Sequence, residues 1–541
     1  MKRPKHFLYI LASLSGLAIM YVCVSVIPFR QIFPLINADS MFFQVLYQDL
    51  IIDGNTLRGW DLNTTFNLFP NSFLYLISFL ISKNPFINTL IHGLLQYSLF
   101  FLVLFYFYRS FRPFIPTKWH VPGILMLNLF FFDAMMAGDY YYATLFVHPY
   151  HFGAFITFFL LGALNLRHIR TPQKNKVVWI LIIAALGVFS NRIVVIMFTI
   201  PWIIVLCVAM IKKWLPASIA VRGIVINFAG ALLGIALYVL IKNLGIVTFA
   251  STKLFSWDNI LPSITALFQT YGKLFSQSIP MTLMLGFSAL FFVVNFIWCI
   301  RDIFNYNHSS SPNHNENHAI QIWMLTSLIF TVVIFFAPAI NGMFFGPASV
   351  RYNFFVLLLP FINISILGYS VWGNKPISNT IINWVAPSLI VLVLALAVYF
   401  SGSFPMQQHF SEKKEYYPFR AKELDKLSQE VELKNGISIY WDAKPTTLYS
   451  REGIRVRQVY DDLSLYPLAI ARSWYYPQTD SQEAPVFNFI IYHKSMKDES
   501  IETIFGENIT RIKRDDMEIL LVPDFTYTSS RRIVLLSNLD E

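Results

Sequence analysis

One carboxylate, Asp39, lies in a mainly apolar stretch at a position where it could do chemistry. It directly precedes the segment SMFFQVLYQDLII, whose polar residues recur every four positions from Ser40 to Gln48. This spacing predicts an amphipathic helix of the kind that lies on a membrane surface. A carboxylate at a helix start can cap backbone N–H groups, and it can also serve as a general base. Asp49 and Asp53 follow on the same segment, and we expect both to face water.

A second group of candidate residues lies in the segment AGDYYYATLFVHPYHFG. His148 and His151 are three positions apart, so they share one side of a helix if the segment is helical. Together with Asp139 they could bind a divalent metal ion or relay protons. The tyrosines of the same segment favour a second interpretation, an aromatic belt at a membrane interface.

Two arginines stand out because of their apolar surroundings. Arg192 lies in FSNRIVV and Arg351 lies in GPASVRYN, each beside a long apolar run. The planar guanidinium group can bind two oxygens of a phosphate, so both residues are candidates for a lipid phosphate. The alternative is that each side chain extends towards the membrane surface and pairs with lipid headgroups.

The elements that must position these residues are predicted to be membrane-spanning helices. The chain has 541 residues, 55% of them hydrophobic and 13% charged, and a mean hydropathy of +0.53. A soluble protein carries roughly 25% charged residues, so we expect a polytopic α-helical membrane protein with about 11 transmembrane helices. The predicted spans are 7–28, 86–108, 121–138, 150–166, 177–189, 194–211, 223–245, 280–300, 320–340, 353–372 and 380–400.

Lysine and arginine residues predict the orientation of these spans. Basic residues are concentrated in the loops near 109–118, 167–176 and 212–222, which are therefore predicted to be cytoplasmic. The N-terminus is then cytoplasmic and the C-terminus is outside. The long first outer loop, 29–85, contains an apolar segment, 69–82, that is short for a span and is interpreted as a re-entrant or surface-lying helix.

The composition changes after the last span. Residues 1–402 form the membrane domain, whereas residues 403–541 are predicted to form an extracytoplasmic α/β domain. One helix is expected in YYPFRAKELDKLSQEVE, and strands are expected in ISIYWDA, IRVRQVY, VFNFIIYH, MEILLVP and RRIVLLS. No nucleotide-binding motif occurs there. The net charge of +10 lies largely in short loops, which fits orientation in a membrane and gives no indication of nucleic-acid binding.

This arrangement resembles the type C glycosyltransferases. The shared features are a single span, a long outer loop with an acid soon after the span, many further spans and a terminal outer domain. The stretch NADSMFFQVLYQDLIIDG matches the family's first-loop pattern in its placement. It departs from that pattern in one respect: many members carry paired acids, whereas this chain has Asp39 followed by Ser40.

The resemblance implies a membrane glycosyltransferase in the cell inner (plasma) membrane. Such enzymes take a sugar from a polyprenyl-phosphate or polyprenyl-diphosphate donor and transfer it to a glycan, glycolipid or protein. By position, Asp39 would be the base or a metal ligand and Asp139 a second acid, while Trp60 could stack on a sugar ring. A divalent metal, Mg or Mn, would have Asp39, Asp139 and His151 as candidate ligands.

Two other functions remain open from the sequence. A transporter or flippase for a lipid-linked or polar substrate would place polar residues or helix breaks at mid-membrane depth in several spans. The notable polar residues instead cluster near predicted outer ends, and Asp133, inside the third predicted span, is the main exception. A non-catalytic scaffold of envelope assembly would act through the terminal domain and would tolerate substitution of Asp39 and Asp139.

Overall fold

The structure is a computed structural model of the chain. It describes residues 7–26, 38–111, 115–136, 151–250, 255–277, 279–304, 314–372, 406–477 and 483–536, together with isolated positions between 384 and 399. The protein is mostly helical and carries a β-rich C-terminal domain. Asp139 and His148 lie outside the described residues, as does most of the last predicted span.

Within the described residues, every predicted span before residue 373 lies mostly in helix. Five helical segments in the described part of the chain are long and apolar enough to cross a membrane: Pro85–Phe111, Phe152–Arg170, Ala217–Asn243, Met281–Phe304 and His318–Ile340. These segments indicate a membrane protein. The described helices of the membrane domain are α1 (Phe7–Val26), α2 (Phe42–Tyr47), α3 (Phe73–Ile81), α4 (Pro85–Tyr108), α5 (Val121–Met136), α6 (Phe152–Arg170), α7 (Lys174–Ser190), α8 (Ile200–Ile211), α9 (Ala217–Asn243), α10 (Ile260–Gln277), α11 (Ile279–Phe304), α12 (His314–Ile340) and α13 (Phe355–Trp372).

The apolar segment 69–82 contains α3, which has nine residues. Its length of about 14 Å is too short to cross a hydrocarbon layer of roughly 30 Å. One side of α3, with Tyr75 and Phe79, is buried in the protein, whereas Phe73, Leu80 and Ile81 are exposed. The helix therefore has an apolar exposed side suited to lipid, as expected for a segment that does not span.

One end of the helical domain contacts the C-terminal domain. Lys413 Nζ donates a hydrogen bond to the carbonyl of Ser25 near the end of α1, at 2.9 Å. Asn84, which caps the start of α4, donates to the carbonyl of Lys414 at 2.7 Å. We call this end of the helical domain the domain-side face.

The opposite end carries the basic loops. Arg170, at the end of α6, donates to the carbonyl of Ser110 at 2.7 Å, and Arg167 Nε donates to the Ser110 hydroxyl at 3.1 Å. Lys176 Nζ donates to the carbonyl of Thr171 at 2.9 Å. Because α4 and α6 each run from the domain-side face to this end, the basic residues cluster at the far end of both helices.

A three-stranded sheet joins distant parts of the chain. Strand β1 (Trp60–Leu62) pairs in parallel with β2 (Val247–Phe249) and antiparallel with β5 (Ile470–Ala471). The first loop, the segment after α9 and the C-terminal domain therefore lie on the same side of the helical domain.

The C-terminal domain is built on a second, larger sheet. Its strands are β3 (Asn435–Ile439), β4 (Arg455–Val459), β6 (Phe487–Tyr492), β7 (Thr510–Arg514), β8 (Met517–Tyr527) and β9 (Ile533–Leu535). The order is β4-β3-β6-β8-β7, with β9 also pairing with β8. The pairs of β3 with β4 and with β6 are parallel, and the pairs of β8 with its neighbours are antiparallel. The described helices of this domain are α14 (Met406–Lys414), α15 (Phe419–Leu427), α16 (Tyr440–Tyr449) and α17 (Asp498–Phe505).

Two local sequence predictions in these regions are wrong. The predicted strand ISIYWDA ends at Ile439, and α16 begins at Tyr440, with Asp442 in its first turn where a carboxylate favours a helix start. Helix α2 does not lie on a surface, because all six of its residues are buried. Its aromatic and aliphatic side chains share a core with the C-terminal domain, and Gln44 donates to the carbonyl of Lys83 at 2.8 Å.

Candidate active site

Asp39 lies where the first loop meets the C-terminal domain. The hydroxyl of Tyr440, the first residue of α16, donates a hydrogen bond to one carboxylate oxygen of Asp39. The other oxygen is 3.8 Å from a guanidinium nitrogen of Arg351. Asp39 is not a helix cap by its side chain, because α2 is preceded by Met41 and has no side-chain cap. The carboxylate side chain is 22% exposed, so one part of it is open to a ligand.

Arg351 is held by a short 3-10 turn, Pro347–Tyr352, in front of α13. One guanidinium nitrogen donates to the Tyr352 hydroxyl at 3.2 Å. Asn353, which directly follows the turn, holds it against α10 and α12, since Asn353 accepts a hydrogen bond from Tyr271 at 2.8 Å and donates to the carbonyl of Phe335 at 3.3 Å. The arginine side chain is 41% exposed, which leaves it accessible to an anion.

Lys444 adds a second cation to this site. It lies one helical turn after Tyr440 on α16, and its ammonium nitrogen is 4.4 Å from the centre of the Tyr440 ring. Lys444 is 3% exposed, and its ammonium group has no hydrogen-bond partner among the described residues. Burial lowers the pKa of Lys444 to about 7, although the nearby charge of Asp39 acts in the opposite direction. Lys444 is thus a buried amine whose protonated form would be favoured by an anion bound beside Asp39.

His151 approaches the same site from the start of α6. Its ring centre is 5.3 Å from that of Tyr352, and its Nδ1 is 3.2 Å from the side-chain nitrogen of Asn191. The charge of Arg351 acts on His151, which places the imidazole near the guanidinium group.

Arg192 and Trp60 have structural contacts instead. Arg192 donates to the carbonyl of Thr64 at 2.8 Å and stacks over the ring of Tyr238 at 4.3 Å, so it anchors the first loop to α9. Trp60 is fully buried and is part of the core, so it offers no surface on which a sugar could stack. These contacts do not bring either residue to Asp39.

Asp49 does not face water as expected, because it is almost completely buried. Its carboxylate accepts hydrogen bonds from the indole of Trp60 at 2.9 Å, the indole of Trp474 at 2.6 Å and the amide of Asn55 at 2.9 Å. Asp49 therefore joins the first loop to the C-terminal domain. Asp53 is more exposed and pairs with Arg455 at 3.1 Å.

The divalent metal site predicted at Asp39, Asp139 and His151 stays a prediction, because Asp139 lies outside the described residues. Within the described part of the chain, no three His, Cys, Asp or Glu side chains are grouped so that they could hold one. The carboxylate of Asp39 has Arg351 as its nearest charged neighbour, and the charge of Asp39 also acts on Lys444. Two cations beside one carboxylate favour an anionic ligand over a cation.

A largely apolar cavity is lined in part by residues that follow Arg351 closely in the sequence. It has a volume of about 420 Å³ and is lined by α10, α11, α12 and α13. Tyr271, which bonds Asn353 in the turn that follows Arg351, is one of its lining residues, and Val356 and Leu357 of α13 are others. The cavity could therefore hold an apolar chain whose charged end reaches Arg351.

Comparison with known proteins gives no family. No model of a protein family matches this chain, and no curated protein matches it.

The structure brings together Asp39, Arg351 and His151 from the residues singled out in the sequence. It adds Tyr440 and Lys444, which the sequence did not indicate because YWDAKPTTLY was interpreted partly as a strand. The sequence did hold an indication that Lys444 could be buried, since it closely follows two large aromatic residues and precedes a proline in a segment with little charge.

Proposed function

We propose that the protein is an integral membrane glycosyltransferase. In this proposal it moves a sugar from a polyprenyl-phosphate or polyprenyl-diphosphate carrier to an acceptor on the outer face of the membrane. The observation that carries the proposal is the convergence of Asp39 and Arg351, 3.8 Å apart, beside the buried amine of Lys444. A carboxylate next to two cations provides a base for an acceptor and a binding site for a phosphate leaving group.

The reaction follows from the placement of these groups. The acceptor hydroxyl gives its proton to Asp39 while its oxygen forms a bond to the anomeric carbon of the donor sugar. The bond between that carbon and the phosphate oxygen breaks, and the electron pair remains on the phosphate. Arg351 and Lys444 stabilise the resulting negative charge. Tyr440 holds one oxygen of Asp39 by a hydrogen bond and so orients the carboxylate.

The donor's lipid chain would occupy the apolar cavity of about 420 Å³ among α10, α11, α12 and α13. An apolar lining suits a prenyl chain, and Arg351 lies just before α13. The steps above use only protein side chains, and a divalent metal with Asp39, Asp139 and His151 as candidate ligands stays a prediction, because Asp139 lies outside the described residues.

The proposal includes the orientation of the chain. About eleven helices would span the inner membrane, with the N-terminus in the cytoplasm and the C-terminal domain outside. The clustering of Arg167, Arg170 and Lys176 at the end remote from the C-terminal domain supports this orientation, because basic residues concentrate on the cytoplasmic side of membrane proteins.

Activity with defined donors tests the proposal. The protein, reconstituted in lipid nanodiscs, is incubated with polyprenyl-phosphate mannose, glucose or galactose and a mixture of oligosaccharide acceptors, and release of polyprenyl phosphate is measured. We expect Asp39→Asn to lower kcat by about 10²- to 10⁴-fold, the range for loss of a general base. We expect Arg351→Ala to weaken use of the donor by about 10- to 100-fold, as for loss of a charge-assisted hydrogen bond.

Asp53→Asn is the matched control, since it removes a carboxylate from the same loop at a position paired with Arg455. It should retain activity. Equal turnover by the wild type and Asp39→Asn would refute the role of Asp39. Movement of a lipid-linked sugar across proteoliposomes without release of polyprenyl phosphate would refute the transferase and support a transporter.

A further inference from the structure

A second cavity lies on the C-terminal domain next to Asp39. It has a volume of about 240 Å³, and its wall includes Met41, two residues after Asp39. Trp441 and Asp442, which directly follow Tyr440 on α16, also line it, as does Arg420 of α15. We call it the Trp441 pocket. Tyr440, which donates a hydrogen bond to Asp39, directly precedes Trp441 on α16, so the pocket begins one residue along the chain from the contact with Asp39.

One of the residues that line the pocket, Asp442, has a buried carboxylate oxygen without a partner among the described residues. The Asp442 side chain is 9% exposed, and its Oδ1 accepts a hydrogen bond from Arg420 at 2.5 Å. Its Oδ2 is buried and has no hydrogen-bond partner among the described residues. A buried acceptor of this kind costs stability unless a donor reaches it. Burial also raises the pKa of Asp442, although the charge of Arg420 opposes this.

Aromatic surface lies beside this carboxylate. Trp441 is 55% exposed, and its ring packs edge-on against Tyr440 at 5.0 Å. Phe419, which is also exposed, lines the same pocket. The pocket thus presents flat apolar faces next to a hydrogen-bond acceptor and a guanidinium donor.

These properties limit the chemistry of the ligand. Two carboxylates, Asp442 and Asp516, line the pocket and disfavour an anion, while the guanidinium of Arg420, paired with Asp442, disfavours a cation at that carboxylate, so a neutral ligand fits best beside this pair. The ligand must offer hydroxyl donors on its edge and apolar C–H groups on its face. The volume is below the roughly 300–1,000 Å³ of pockets for drug-sized molecules, which suits a single sugar ring.

We propose that the Trp441 pocket binds the terminal sugar ring of the acceptor. Asp442 would accept a hydrogen bond from one ring hydroxyl, Arg420 would donate to another, and Trp441 would stack on the ring face. Bound in this way, a neighbouring hydroxyl of the acceptor would lie towards Asp39. This inference rests on the proposed function and narrows it, because the acceptor is then a glycan or glycolipid and not a protein side chain.

Binding in the absence of any donor tests the proposal. The full chain in nanodiscs is titrated with the methyl glycosides of glucose, galactose, mannose, rhamnose and N-acetylglucosamine, and binding is followed by saturation-transfer NMR. We expect at least one glycoside to bind and to compete with the others. We expect Trp441→Ala and Asp442→Asn each to weaken that binding about tenfold or more.

Trp257→Ala is the control, because Trp257 is an exposed tryptophan outside this pocket and its loss should leave binding unchanged. Thermal unfolding of each variant shows whether it has folded. Absence of binding by all five glycosides, or binding that both pocket variants retain in full, would overturn the proposal.

The two proposals can fail separately. Glycoside binding that depends on Trp441 and Asp442, in a protein that uses no lipid-linked sugar, would refute the transferase and retain the sugar site. Turnover of a lipid-linked sugar with an acceptor KM that is unchanged in Trp441→Ala would refute the pocket and retain the transferase. A rise in acceptor KM with little change in kcat is the result that supports both.

Discussion

Donor binding should depend on pH through Lys444. In the protein without ligand this amine has a pKa of about 7, so about half of it is charged at neutral pH. A phosphate beside the amine favours the charged form and raises its pKa towards the ordinary value of about 10.4. Donor binding therefore takes up a proton.

The magnitude follows from the charged fraction. Between pH 7 and pH 9 the charged fraction of Lys444 falls from about one half to about one hundredth, so the dissociation constant for the donor should rise about 50-fold. The donor itself contributes little, because a phosphodiester keeps one negative charge over this range. Binding of polyprenyl-phosphate mannose to the protein in nanodiscs, without acceptor, can be measured at each pH by a fluorescent donor analogue.

Lys444→Met provides the comparison for this prediction. The variant should bind the donor more weakly at pH 7, and its affinity should change little up to pH 9. The same steep pH dependence in both proteins would place the titrating group elsewhere. A flat profile in the wild type would refute the reasoning that Lys444 binds the phosphate as an ammonium group.

Three further predictions concern stability and can be measured by denaturant or thermal unfolding. Lys444→Met should stabilise the protein by about 4 kcal/mol at pH 7, because folding lowers the pKa of Lys444 to about 7 and the wild type must release a proton or bury a charge. The stability of the wild type should rise as the pH increases from about 7 to about 10.4, so the advantage of the variant should disappear over that range. No gain at pH 7 would contradict the burial of this amine. Asp49→Ala should cost about 3 kcal/mol or more, since it leaves two buried indole N–H groups unpaired, whereas Asp53→Asn should cost less than about 1 kcal/mol; similar costs for both would be inconsistent with the buried site. Arg472→Ala should lower the free energy of unfolding by about 2 kcal/mol and loosen the three-stranded sheet, because Arg472 donates to the buried carboxylate of Asp61 at 2.8 Å. Hydrogen exchange in β1 should accelerate, and unchanged exchange there would refute this role.

The helices of the membrane domain could be predicted from the sequence because long apolar runs have a direct physical meaning. A run such as 86–108 must satisfy its backbone hydrogen bonds internally, and only a helix does so within one segment. The structure accordingly places α4 at Pro85–Tyr108. The change to a β-rich C-terminal domain could be predicted equally well, since short segments with strand-like patterns replace the long apolar runs there.

The burial of the first loop could not be predicted in the same way. Polar residues at Gln44 and Asp49 suggested contact with water, but their partners, Lys83, Asn55, Trp60 and Trp474, include a residue more than 400 positions away. Spacing within one segment carries no information about such a partner. For the same reason Asp39 and Arg351 could be singled out separately, whereas their proximity and the contribution of Lys444 required the fold.

The sheet that joins β1, β2 and β5 has a consequence for how the chain is made. Its first strand is synthesised early, but its partners are translated about 190 and 410 residues later. At the roughly 5–20 residues per second of synthesis, β1 waits at least about 20 s for β5. During that interval the aromatic residues of α2 can pack against α3 but lack the part of their core that the C-terminal domain provides. We therefore expect the first loop to need a holding chaperone or the lipid surface until the C-terminal domain emerges, and chains truncated before residue 470 to be degraded.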